Sequence, residues 1–124
     1  MLQTRKQRLG QQAEHEALVF LTNKGLTLLN KNFRCSLGEI DLIMRDDDYI
    51  VFVEVRSRSR TDYGRAGESV NHTKQRKITL AATYYLQQKQ WLHTKSGRFD
   101  VVEIHYVDNQ VTLDWYKNAF LAGQ

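Results

Sequence analysis

The stretch Gly38–Arg60, GEIDLIMRDDDYIVFVEVRSRSR, decides the fold. Two runs rich in strand-forming residues, Glu39–Arg45 and Tyr49–Arg58, flank an acidic turn at Asp46-Asp47-Asp48. This pattern predicts a β-hairpin. Side chains alternate faces along a strand, so Ile50, Phe52, Glu54 and Arg56 share one face. Tyr49, Val51, Val53 and Val55 share the other. Both faces carry bulky apolar groups, so the second strand of the hairpin is expected to be central and covered on both sides. Within these runs Asp41 is wedged between Ile40 and Leu42, and Glu54 between Val53 and Val55. A carboxylate in such surroundings is costly unless a cation or hydrogen-bond donors meet it. Two of them on neighbouring strands point to a divalent metal site.

Outward from the hairpin, the apolar stripe Ala13, Ala17, Leu18 and Leu21 predicts a helix from about Gly10 to Asn23, stopped at Lys24-Gly25. Glu14 lies on that stripe, an expensive place for an acid. Residues 1–9 are polar and expected to be flexible. Leu26–Phe33 reads as a first strand. Beyond the hairpin, a polar loop, SRSRTDYGRAGES, leads into a second helix over Val70–Gln90. Asn71 or Thr73 would cap that helix, with Ile78, Ala81, Ala82, Tyr85 and Leu86 as its core stripe. Lys74, Arg76 and Lys77 load its first turns with positive charge, which opposes the macrodipole and hints at an anionic target. RFDVVEIHYV and QVTLDWY, joined at Asp108-Asn109, form a last hairpin, and residues 117–124 are expected to add a short helix. The order is helix, three strands, helix, two strands. It predicts one α/β domain over residues 1–124, a mixed five-stranded sheet flanked by helices, with the second helix as the crossover.

The 124 residues are 41% hydrophobic and 26% charged, with a formal net charge of +4 and a pI of about 9.3. These values fit a soluble globule with an anionic partner. The cations cluster in Arg56–Arg65 and Lys74–Lys77, which is better evidence for nucleic acid than the sum. The bland alternative is a solvated basic face. Cys35 stands alone, which excludes a disulfide framework or a cysteine zinc quartet and favours a buried structural thiol. With no secretory signal and no membrane-length apolar run, a cytoplasmic protein without a membrane partner is expected. His15, His72, His93 and His105 lack metal-ligand spacing, and no Ser/His/Asp set, Walker loop or dinucleotide fingerprint occurs. Tyr84, Tyr85 and Trp91 read as core, and Tyr63 as the better base-stacking candidate.

Glu14, Asp41 and Glu54 together make an oxygen-rich set suited to Mg²⁺ or Mn²⁺. Such an ion activates water and offsets charge on a phosphoryl group. Asp41 and Glu54 are the expected metal ligands, the Val55 carbonyl a third, and Glu14 a holder of a second ion or a water. Arg56 projects on the same side as Glu54 and can stabilise negative charge, but stays protonated and cannot act as a base. Lys74 is the nearest amine of the right kind. Arg58, Arg60, Arg65, Arg76 and Lys77 are the expected phosphate contacts, which position a nucleic acid without reading its sequence. The competing reading has Glu14 paired with a basic residue such as Arg34, Asp41 bonded to backbone at the Gly38 turn, and Glu54 and Arg56 in cross-strand ion pairs.

GEIDLI, FVEVRSR, Tyr63-Gly64, SVNHTKQRKI and RFDVV, in this order and spacing, resemble the YraN-like family of small bacterial proteins. Gly10, Ala13, Glu14, Ala17 and Leu21 fit as well, so the resemblance spans roughly Gly10 to Val102. That family looks like a branch of the restriction-endonuclease-like superfamily, the PD-(D/E)xK nucleases, near the archaeal Holliday junction resolvases. The resemblance implies a restriction-endonuclease-like sheet and a metal-dependent phosphodiesterase site. Glu14, Asp41 and Glu54 match the superfamily's helix Glu, strand Asp and Glu of Glu-x-Lys. Arg56 stands where that superfamily usually has Lys, and Lys74 falls in the TKQRK-like segment. Three functions follow as expectations. The first is a nuclease acting on DNA, including structured or branched DNA. The second is a non-catalytic nucleic-acid-binding module on a decayed nuclease fold, and the third a structural or assembly protein. A symmetric homodimer would suit a junction enzyme, which needs two active sites.

Overall fold

The computed structural model describes residues 3–59 and 70–122. Its elements are α1 (Arg5–Asn23), β1 (Thr27–Cys35), β2 (Gly38–Asp46), β3 (Tyr49–Ser59), α2 (His72–Gln88), β4 (Ser96–Val107) and β5 (Gln110–Phe120). The five strands form one mixed sheet in the order β1-β2-β3-β4-β5. β3 and β4 run parallel and every other neighbouring pair runs antiparallel. The parallel pair needs a crossover, and α2 supplies it.

Helix α1 begins at Arg5, not near Gly10 as its apolar stripe indicates. The Thr4 hydroxyl accepts a hydrogen bond from the Gln7 amide, and the Gln7 side-chain oxygen accepts one from the Thr4 amide, a reciprocal capping box. Arg5–Leu9, part of the stretch that read as a loose leader, are thus in the helix's first turns. Gly25, at φ +100°, turns the chain out of the helix. Asn71, one of the two expected caps, holds the start of α2 through a 2.8 Å bond from the Lys74 amide.

β3 is buried on both faces, as its two apolar rows require. Ile50 and Phe52 pack with Ile78, Ala81, Ala82 and Tyr85 of α2. Val51 and Val53 pack with Ala13, Ala17 and Leu21 of α1. Phe52 sits at the centre of the α2 side, ringed by Tyr85 and Phe99. Truncating such a side chain to Ala costs about 3–5 kcal/mol.

Strand β5 runs on to Phe120, and the short helix expected over 117–124 is absent from the described part of that segment. Two contacts hold the chain extended. Phe120 stacks on Phe99 at 4.8 Å, and the Asn118 amide donates to Asp100 at 2.9 Å. Asp100, wholly buried, also receives the Arg98 guanidinium and the Trp115 indole N–H. Arg98 reaches Asp46 of β2 at 3.0 Å. The Arg-Phe-Asp segment is therefore a fastening between strands.

Candidate active site

The site forms where two strands part. The β2–β3 ladder runs from Asp46 opposite Tyr49 to Leu42 opposite Val53, and goes no further. The next position on each strand carries a carboxylate, Asp41 on β2 and Glu54 on β3. In place of a ladder bond, the Val55 amide donates to the Asp41 side chain at 2.8 Å. Beyond this point β2 pairs with β1, and β3 continues beside β4. The two acids thus sit at the mouth of the fork, held by strands that are rigid on their far sides.

Helix α2 closes the fork from one side. Lys74, in its first turn, brings its ammonium to 2.6 Å from Glu54 Oε1. The close approach of the helix depends on Gly38. A Cβ at that position would stand 2.8 Å from the Lys77 carbonyl oxygen. Of the three cations that looked misplaced at a helix N-terminus, Lys74 is spent on Glu54. Lys74 is 55% exposed and Glu54 only 7%, so this pair has one face toward solvent and one toward the core.

Electrostatics joins the carboxylates into one unit. Burial pushes Glu54 up to about 7, and the neighbouring Asp41 charge adds to the rise, while Lys74 and Arg56 oppose it. Asp41 is raised as well, first by burial, against the lowering pull of the Val55 amide and Lys74. Glu14 is raised by burial and then by Asp41, with an Asn32 hydrogen bond and Lys31 acting the other way. Asp41 is the shared neighbour of both glutamates. Negative charge crowded to this degree resists ionisation, and a divalent cation would relieve it.

The donor set therefore fits a hard cation. Each of Asp41 and Glu54 commits one oxygen to a protein donor and has a second with which to face an ion. Glu14 stands further out. Among the described residues, one trio brings its ligand atoms all within 4.8 Å of one another, and it is Glu103, His105 and Asp114. Sequence spacing missed that trio because its members lie on two strands. The Asp108-Asn109 turn could have revealed it, since the register it sets puts Glu103 opposite Asp114. The trio is closed up by its own pairs. His105 Nε2 lies 3.0 Å from Asp114 and 3.5 Å from Glu103, and Arg58 Nη2 lies 3.9 Å from Glu103.

The other expected residues are distributed unevenly. Arg56 lies on β3 beside the acids, in register with Glu103 of β4. Arg58 is turned inward, 9% exposed, toward Glu103. Arg76 and Lys77 are exposed on α2. Arg60, Arg65 and Tyr63 lie outside the described residues. Arg34 pairs with Glu39 at 3.3 Å and not with Glu14. Tyr85 is core, Tyr84 is partly exposed, and Cys35 is half-buried with its thiol 3.6 Å from the Gly38 carbonyl.

Two clefts flank the fork. One, of about 540 Å³, lies against α2 and includes Arg34, Glu39, Lys74 and Lys77 in its walls. The other, of about 500 Å³, lies against α1 and includes Gln7, Gln11, Glu14, Asn32 and Arg34. No helix among the described residues is long and apolar enough to cross a membrane.

Residues 13–104 match the model of the uncharacterised protein family UPF0102. The chain is similar to a UPF0102 protein of Legionella pneumophila (strain Philadelphia 1), 44% identical over 94% of this chain and 98% of the relative. A UPF0102 protein of Pseudomonas putida (strain KT2440) is 45% identical over 91% and 92%. One of Janthinobacterium sp. (strain Marseille) is 44% identical over 96% and 92%.

Proposed function

The chain belongs to the uncharacterised family UPF0102, the YraN family its motifs resemble, and on that footing we propose that it is a Mg²⁺- or Mn²⁺-dependent nuclease acting on DNA. One observation carries the reading: a lysine from a separate helix meets the glutamate of a strand acid pair at the point where two strands diverge. Strands hold acids in such a fork only at a cost, and binding a cation offsets that cost.

In this reading Asp41 and Glu54 hold the ion, with the Val55 carbonyl as the expected third ligand. When bound, the ion would supply Lewis-acid stabilisation of phosphoryl charge and would lower the pKa of a water. The chain's own groups do the rest. The Val55 amide fixes which oxygen of Asp41 is spent inside the protein. Lys74 donates one hydrogen to Glu54 and has two more to orient a water or a phosphoryl oxygen. Arg56, on the Glu54 face, places a permanent charge near the phosphoryl group as negative charge develops there. Glu14 holds a water or a second ion beside Asp41.

The strand lysine of the superfamily pattern is an arginine here, which favours a second reading, a binding module that has lost catalysis. Lys74 speaks for the enzyme, because it brings an amine to the same glutamate by another route. Incubating plasmid and four-way-junction DNA with the protein in Mn²⁺ or Mg²⁺ separates the two. Cleavage by the wild type, abolished in Glu54→Gln with the fold intact, supports the nuclease. Salt-sensitive binding without cleavage under any metal supports the module. A symmetric dimer in solution would give a junction enzyme its two sites.

A further inference from the structure

The two clefts differ in chemistry although they share a wall. Arg34 lines both. The α2 cleft presents Arg34, Lys74 and Lys77 against a single carboxylate, Glu39. Cations of this kind hold phosphates. The α1 cleft has Arg34 as its one cation and is walled by amides, Gln3, Gln7, Gln11 and Asn32, beside Glu14. The amides are ordered by one another and by the helix cap. Gln3 donates to Gln11 Oε1 at 3.0 Å, and Gln7 Oε1 accepts the Thr4 amide at 2.9 Å. Gln11 and Gln7 thus each engage the side-chain oxygen in a surface hydrogen bond, which leaves their N–H groups as the donors they can offer a ligand. Amide groups suit base edges and sugars, which offer matching donors and acceptors. A cleft of about 500 Å³ has the size of a small-molecule pocket, enough for nucleotides taken singly.

We infer that the two clefts form one track across the fork, the α2 side gripping phosphates through Lys77 and Arg34 and the α1 side receiving unpaired nucleotides through the Gln7 and Gln11 amides. This rests on the nuclease reading for the position of the scissile bond, midway between Lys74 and Glu14. It assigns the substrate class as DNA with a flared or single-stranded segment next to the cleavage point. A continuous duplex would have to open before it could enter the α1 side.

The test measures binding by fluorescence anisotropy, with Ca²⁺ in place of Mg²⁺, for a blunt duplex and for the same duplex with a forked end. The wild type binds the fork about tenfold tighter than the duplex, the sum of two or three hydrogen bonds to unpaired nucleotides. Gln11→Ala lowers that preference by about fivefold and leaves the salt dependence unchanged. Lys77→Ala weakens both DNAs equally and flattens the slope of log K against log salt by about 1. Equal affinity for fork and duplex, or a preference untouched by Gln11→Ala, overturns the track, and so does a wild type that binds neither DNA. Cleavage assayed separately in Mn²⁺ keeps the two readings apart. A fork preference without cleavage would refute the nuclease and keep the track, whereas cleavage without the preference would do the reverse.

Discussion

Glu54→Gln should make the metal-free protein relatively more stable as pH rises, and the size of the effect follows from the site. Glu54 titrates near 7 in the fold against an ordinary 4.5, chiefly because it is buried and because Asp41 stands beside it. The folded state therefore holds a proton that the unfolded chain has released between those two values. When the native state binds more protons, stability falls as pH rises. At about 1.4 kcal/mol for each pH unit of displacement, the full loss is about 3 kcal/mol, most of it between pH 5 and pH 8. Glutamine retains the oxygen that Lys74 meets and carries no charge, so the variant lacks this loss. Urea denaturation in EDTA at several pH values gives both stability curves. The difference, variant minus wild type, should grow by about 2–3 kcal/mol from pH 5 to pH 8. Titrating groups away from the fork act on both proteins and largely cancel in that difference, and Asp41, freed of the Glu54 charge in the variant, moves it the same way. Parallel curves would refute the crowding of charge at the fork, as would a wild type that gains on the variant toward high pH.

Mn²⁺ should reverse the penalty. At a concentration 100-fold above its Kd the ion stabilises the fold by about 2.7 kcal/mol. The rise in Tm should be larger at pH 8 than at pH 6, because the ligands must be ionised, and should vanish in Asp41→Asn. Lys74→Met leaves the buried Glu54 without its ammonium partner, so it should lower Tm, more at pH 8 than at pH 5, and reduce cleavage by roughly a hundredfold, the scale of a lost transition-state donor. Gly38→Ala should destabilise by about 1–3 kcal/mol, since the added carbon meets the Lys77 backbone, and should weaken Mn²⁺ binding by moving α2. Asp100→Ala should cost about 3–5 kcal/mol in urea denaturation, because it leaves the Trp115 indole N–H and the Asn118 amide without their acceptor and Arg98 with Asp46 alone.

The hairpin was legible because alternation along Tyr49–Val55 leaves no solvent face. That alone made β3 central and put helices on both sides of the sheet, as found. The α2 stripe was equally plain, residue for residue. Termini were less so. A capping box of Thr4 and Gln7 extends α1 through residues with no apolar pattern, and Asp100 draws the tail into β5 by a contact 18 residues distant. Glu14, Asp41 and Glu54 announced themselves as acids among apolar neighbours. The meeting of Glu54 with Lys74 depends on where α2 lands, which a close backbone approach at Gly38 decides and no local pattern shows. Arg58 misleads in sequence for a similar reason. Its parity on the strand gives the face, but the buried Glu103 that draws it inward comes from another strand.

A crystal of the protein soaked in Mn²⁺ and measured for anomalous scattering tests the central claim most directly. The account predicts a peak within bonding distance of Asp41 and Glu54, with Lys74 still beside the glutamate. A fork without a peak, or an ion bound only at Glu103, His105 and Asp114, would contradict it.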